Sequence, residues 1–209
     1  MVVDADRDGD TLFKWADHLP DMLWDDVRAR DAREAALCVG GAWAEGVFRV
    51  PLLGYMHAVD PSLQRITRLK DPRHRVGYQS GVVLLYALAR SMGVPPSGRM
   101  VSPLELTGGK LFFTGAHSLA TGPLAKRYAA EPQAFVDRAA ALGAERVEGA
   151  DYAIRIPGLP LLPLYVLLWN GDAETQARAF IGIDDRALFH LDLGGVFALT
   201  NVLVGRLVR

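Results

Sequence analysis

Cysteine is almost missing from this chain: Cys38 stands alone among 209 residues. An internal disulfide is thereby excluded, as are a zinc site or an iron–sulfur cluster held by several cysteines of the chain itself. Cys38 lies between Leu37 and Val39 in an apolar run, the setting of a small buried hydrophobe rather than of a nucleophile. An excess of one charge is missing too. The 23 Lys and Arg against 24 Asp and Glu give a formal net charge of −1, so no global field gathers phosphate backbones and nucleic acid is not an expected partner. Long hydrophobic runs are absent as well. Residues 159–169 form the longest, eleven residues interrupted by Pro160 and Pro163, against the roughly 20 needed to cross a bilayer. No membrane partner is expected. The first ten residues are acidic where a secretory leader would be basic and then apolar, so with the single cysteine a cytoplasmic location is expected. Neither phosphate-loop nor dinucleotide-loop spacing occurs, nor does the Gly-x-Ser-x-Gly elbow of serine hydrolases.

What is present suits a sizeable core: half the residues are apolar and 22% are charged. Apolar residues among many charges on both sides of Pro20 predict two short helices. Residues 35–39 and 43–53, separated by Gly40-Gly41, predict a hairpin. Residues 55–59 and 64–70 extend it to a meander of three or four antiparallel strands. Residues 71–75 read as polar punctuation. Residues 81–92, apolar on nearly every face and ended by Gly93 and Pro95-Pro96, predict a buried central helix. Residues 95–109 read as a loop, and 123–130 and 132–142 as helices. Residues 145–156 and 161–169 read as strands, the second apolar throughout as a covered central strand is. Residues 179–184 and 187–191 are short strand candidates, and Asp192 is the expected cap of a last helix with Val196, Leu199, Leu203 and Leu207 on one face. The expected fold is therefore α+β: an antiparallel or mixed sheet with a buried central helix and flanking helices. Residues 1–34 form a helical segment and 35–209 a single domain.

The densest set of chemically useful residues is Asp172, Glu174, Asp184, Asp185, His190 and Asp192. Carboxylates and imidazole are ligands of hard and borderline metals, which makes His190, Asp192, Asp172 and Asp184 candidate metal ligands. Alternation along a strand would turn His190 and Asp192 to one face. The same residues also read as a hairpin turn, a solvated Asp184-Asp185 turn and a helix cap. Thr107-Gly-Gly-Lys110 has the glycines and cation of an anion-binding loop without the required spacing, and reads equally as a tight turn before a strand. His117 follows Phe112-Phe113 and precedes Ser118, but chain neighbours diverge and make no dyad.

The succession of Gly93-Val-Pro-Pro96, Gly98-Arg-Met-Val-Ser-Pro-Leu-Glu-Leu-Thr-Gly-Gly109, residues 135–143, and residues 160–169 with Asn170-Gly-Asp172 resembles a bacterial and archaeal family, domain of unknown function 3786. The resemblance spans roughly residues 35–209 and carries no catalytic residues. It implies a context: some relatives bear a cysteine-rich iron–sulfur module, and they are commonest in anaerobes that use corrinoid and metal cofactors. This chain lacks that module, and Thr175-Gln176 stands where the family usually has Phe-Pro.

Three functions follow in order. The first is binding of a small molecule or metallocofactor, a tetrapyrrole or a divalent metal. His117, His57 and Trp169 are its candidate contacts, with His190 as another axial ligand and Lys110 for an anionic group. The second is a protein-interaction domain anchored by Trp15, Trp24 or Trp43. The third is a metal-dependent or acid–base enzyme using the Asp, Glu and His group.

Overall fold

A computed structural model describes residues 14–171 and 174–209. Two helices flank the start: α1 (Asp21–Arg28) begins after Pro20, and α2 (Ala32–Cys38) begins at Asp31. The expected strand over 35–39 is thus a helix. Its local signal is the Asp31 carboxylate accepting from the Glu34 amide at 2.8 Å, with alanines following; this cap outweighs the apolar run. Gly40 closes α2 at φ +66, and a Cβ there would lie 2.6 Å from Pro160, so both conformation and space require glycine.

A five-stranded antiparallel meander follows, β1 (Ala42–Ala44), β2 (Val47–Leu52), β3 (Tyr55–Asp60), β4 (Arg65–Arg68) and β5 (Asp71–Arg75), in spatial order of sequence. Two-residue turns set its register. Glu45-Gly46 and Leu53-Gly54 both take positive φ at both positions, the backbone whose twist matches paired strands. The expected polar punctuation at 71–75 is the edge strand β5, where Pro72 costs no interior ladder bond.

Helix α3 (Tyr78–Arg90) is the central helix, beginning three residues before the expected start. Its Val83, Leu84, Leu85 and Leu88 are fully buried, each worth about 1.5–3 kcal/mol relative to exposure. It packs against α1, α2 and the last helix. Beyond it come β6 (Met100–Val101), α4 (Gly109–Phe112), α5 (Thr121–Tyr128), α6 (Pro132–Ala140) and β7 (Glu145–Arg146). Then β8 (Tyr152–Leu159), β9 (Leu162–Trp169) and β10 (Arg178–Asp184) complete a second antiparallel sheet in the order β6-β10-β9-β8-β7. The expected strand over 145–156 is broken because Gly149 sits at φ +120. Residues 187–191, expected as a strand, begin with a 3-10 turn at Ala187–Phe189. β9 is buried at every position but its last, as the continuous apolar run implies. The sheets meet where β2 packs on β8, with the Leu53 amide donating to the Gly158 carbonyl at 2.9 Å.

Helix α7 (Leu193–Leu207) buries Val196, Leu199, Leu203 and Leu207, the face read from spacing. Asp192 caps it, accepting from the Gly195 amide at 2.8 Å. Its other oxygen meets Arg90 at 3.2 Å, with both side chains near half exposed. Asp192→Ala is therefore expected to cost about 1 kcal/mol, nearly all from the cap, in urea unfolding. The loss should be the same with and without a chelator. Among the described residues no helix is long and apolar enough to cross a membrane.

Candidate functional site

α3 stops at Arg90 because Ser91 turns out of helical conformation, ahead of Gly93 at φ +67 and two prolines. Ser91 then becomes a junction. Its hydroxyl donates to the Cys38 carbonyl at 2.6 Å, so at 2.8 Å from His190 it accepts the Nδ1–H of that ring. The Met92 amide donates to the Phe189 carbonyl at 2.9 Å, and a Cβ on Gly93 would lie 3.1 Å from Cys38 Sγ. The ends of α2 and α3 and the turn before α7 are thereby fastened together.

His190 is buried, and burial lowers its pKa; the Val94 carbonyl and the Asp184 carboxylate oppose that shift without reversing it. A neutral ring that donates through Nδ1 keeps a lone pair at Nε2. That atom is out of solvent's reach and has no hydrogen-bond partner among the described residues. His190 also lines an open cavity of about 320 Å³, together with Arg90, Leu188, Leu191, Asp192 and Leu193. Three leucines make apolar walls, and the Arg90–Asp192 pair is the polar side. Arg90 is further fixed by Tyr86, whose ring centroid is 4.9 Å from the guanidinium carbon. Leu188 in the cavity wall and its neighbour Phe189 are exposed, at 38% and 44%, as are Leu37 in α2 and Met92 after α3, at 74% and 65%. The site can hold an apolar body and a polar group. Ser91 is no activated nucleophile, since its proton is given to Cys38 rather than to imidazole.

Asp184 sits close by with a different task. It is fully buried rather than part of a solvated turn. It accepts from the amides of Ser97 at 3.1 Å, Gly98 at 2.8 Å and Arg186 at 3.1 Å. Its carboxylate thus ties the loop after α3 to the end of β10. Asp185, beside it, takes the Ser97 hydroxyl at 2.6 Å and Arg99 at 3.0 Å. The hydroxyl, then the arginine, hold its pKa below the usual carboxylate range. His190 and Asp192 do not share a strand face, because the chain there leaves the 3-10 turn and enters a cap. Among the described residues no three His, Cys, Asp or Glu are gathered as a metal ion requires. Asp172 lies outside the described residues.

The remaining candidates stand apart. His57 points into the first sheet's buried side, its Nδ1 3.0 Å from the Tyr55 carbonyl. Burial first, then Arg206 and Arg68, lower its pKa to about 3. His117 is exposed, stacked on Phe112 at 4.6 Å and edge-on to Phe197 at 5.1 Å. Lys110 is exposed on α4. The glycines before it form a tight turn into that helix, not into a strand; a Cβ on Gly109 would lie 2.2 Å from the Pro103 carbonyl oxygen. Trp169 is half-buried under the Arg178 guanidinium, 4.3 Å from its centroid. No hydrogen bond, ion pair or ring contact joins any two of these four among the described residues. Of the tryptophans, Trp24 belongs to the core and cannot anchor a partner, whereas Trp15 and Trp43 are half-buried.

Ser91 and Cys38, which hold His190, carry no sequence signature, since their meeting is tertiary. The model of the family described as Domain of unknown function (DUF3786) matches residues 31–206. No curated protein and no solved structure matches the chain.

Proposed function

This chain belongs to the DUF3786 family, and from that premise and the geometry beside α3 and α7 we propose that it binds a small molecule in the cavity lined by His190. The observation that carries the reading is His190 in the wall of a cavity with three leucines, its Nε2 without a hydrogen-bond partner among the described residues. A buried acceptor without a partner costs free energy that a ligand can return.

A metallotetrapyrrole is the form of ligand we favour. His190 would hold such a group through a single imidazole, since the ring of the cofactor would itself carry the metal. Ser91 gives that imidazole the oriented second contact that metal-bound histidines use. The cavity, about 320 Å³, is at the small end of ligand sites, so a macrocycle would extend over exposed Leu188 and Phe189. The lone cysteine supports a cytoplasmic setting.

The test is a titration with hemin and with cobinamide followed by visible absorption. We expect saturable band shifts at one equivalent, lost in His190→Gln and in Leu188→Arg, the latter at a half-exposed position that the core does not need. No shift in the wild type, or shifts that persist in both variants, would refute the reading. A second reading, docking of a protein segment, is favoured by the four exposed apolar side chains. It predicts that Leu37→Glu and Met92→Glu abolish partner binding while leaving the titration unchanged.

A further inference from the structure

The polar side of the His190 cavity is a pair of opposite charges, each held from behind. Asp192 gives its Oδ1 to the Gly195 amide at 2.8 Å as the cap of α7, which leaves Oδ2 for Arg90, 3.2 Å away. The Arg90 guanidinium lies over the Tyr86 ring, 4.9 Å from its centroid, and meets the carboxylate through Nη1. Among the described residues no hydrogen bond occupies its Nε or Nη2. The contact is single rather than bidentate, and the two side chains are 49% and 41% exposed. Such a pair contributes little by itself and yields readily to another partner.

Charge decides what this pair can receive. Arg90 and Asp192 cancel, and burial keeps His190 neutral by lowering its pKa, so the described lining carries no net charge. A ligand carboxylate would gain Arg90 but would meet the Asp192 carboxylate beside it, where like charges repel. A group with an N–H next to a C=O has no such conflict. Its oxygen accepts from Arg90 while its N–H donates to Asp192 Oδ2, and both bonds are charge-assisted. An ester lacks the donor and an ammonium lacks the acceptor; a carboxamide has both.

We propose that the ligand beside His190 presents a carboxamide, not a carboxylate, to Arg90 and Asp192, and that this pair sets the specificity of the cavity. The inference rests on the ligand reading of the His190 cavity and adds the chemistry of the group at its polar side. Three leucines take the apolar body, and the pair reads what the ligand carries at its edge. For a metallotetrapyrrole, that selects a ring edged with amides over one edged with acids.

The test titrates the full chain with cobinamide and with cobyrinic acid, which share ring and cobalt and differ in carrying amides or carboxylates, and follows visible absorption. We expect the wild type to bind cobinamide about tenfold or more tightly than the acid, the effect of a like charge beside the ligand carboxylate. Asp192→Asn keeps the helix cap, since asparagine caps as well, but offers the ligand an N–H donor in place of the free acceptor. Arg90→Gln changes a half-exposed residue, so neither variant threatens the fold. Each should weaken cobinamide about fivefold, the scale of one hydrogen bond. The preference over the acid should shrink in Asp192→Asn and grow in Arg90→Gln, whereas a merely structural role would move both ligands together. Unchanged cobinamide affinity in both variants, a wild type that prefers the acid, or binding of hemin without cobinamide would overturn this assignment and leave the His190 reading standing. No shift with either hemin or cobinamide would overturn both.

Discussion

Replacing Asp184 with alanine is expected to destabilise the protein by about 3–5 kcal/mol, the range for breaking a buried charged network. Three backbone amides depend on that carboxylate, those of Ser97, Gly98 and Arg186. The carboxylate is fully buried although Ser97 and Gly98 are exposed and Arg186 is half-buried, so water replaces the lost acceptor only in part. Asp184→Asn should recover part of the loss, since it keeps one acceptor oxygen. Urea unfolding gives the free energies, and amide hydrogen exchange should accelerate at Gly98 and Arg186 first. The loss should be indifferent to chelators. A loss below about 1 kcal/mol would show that the carboxylate does not hold the loop, and a loss that only metal removal reproduces would return Asp184 to the role of a metal ligand.

A second large effect lies in acid. His57 is held neutral, with its pKa lowered from 6.5 to about 3 by burial and then by Arg206, Arg68 and His74, while the Tyr55 carbonyl pulls the other way. As pH falls, the unfolded chain takes the proton first. The stability tied to the neutral ring is therefore complete above about 6.5 and is lost progressively down to about 3. Each pH unit in that window costs up to about 1.4 kcal/mol, or roughly 3–5 kcal/mol in all. His190, lowered by its own burial, adds in the same direction from 6.5 downward. Asp60 and Asp185 are lowered from 3.8, chiefly by the Ser62 and Ser97 hydroxyls. Their contributions are present above 3.8 and fade only below it, so the interval from 6.5 to 4 reports the histidines. His57→Asn should flatten the slope there; a slope parallel to the wild type would show that His57 is not the group responsible.

Much of the fold was legible because its signals are local. Leu199, Leu203 and Leu207 at helical spacing behind Asp192 announced α7, and the unbroken apolar run announced β9. α2 is ambiguous in the sequence because an alanine-rich stretch suits either element, and the Asp31 cap decides for helix. The 187–191 segment failed for a deeper reason: its path is set by Asp184 gripping the Arg186 amide, a contact no periodicity reveals. His190 is visible in the sequence as a titratable residue, but strand alternation does not describe the turn it occupies. What singles it out is Ser91, 99 positions away in sequence. Arg206 did leave a trace, a charge three residues after Leu203 on an otherwise buried face. A lone arginine in an apolar stripe is the hint of a buried guanidinium.

The measurement that bears most directly on the ligand cavity is the non-denaturing mass, with the visible spectrum, of the chain purified from its own host. The account predicts one small molecule bound per chain in the wild type and none in Leu188→Arg, with both folded. A bare chain in the wild type, or the same adduct in both, would contradict it.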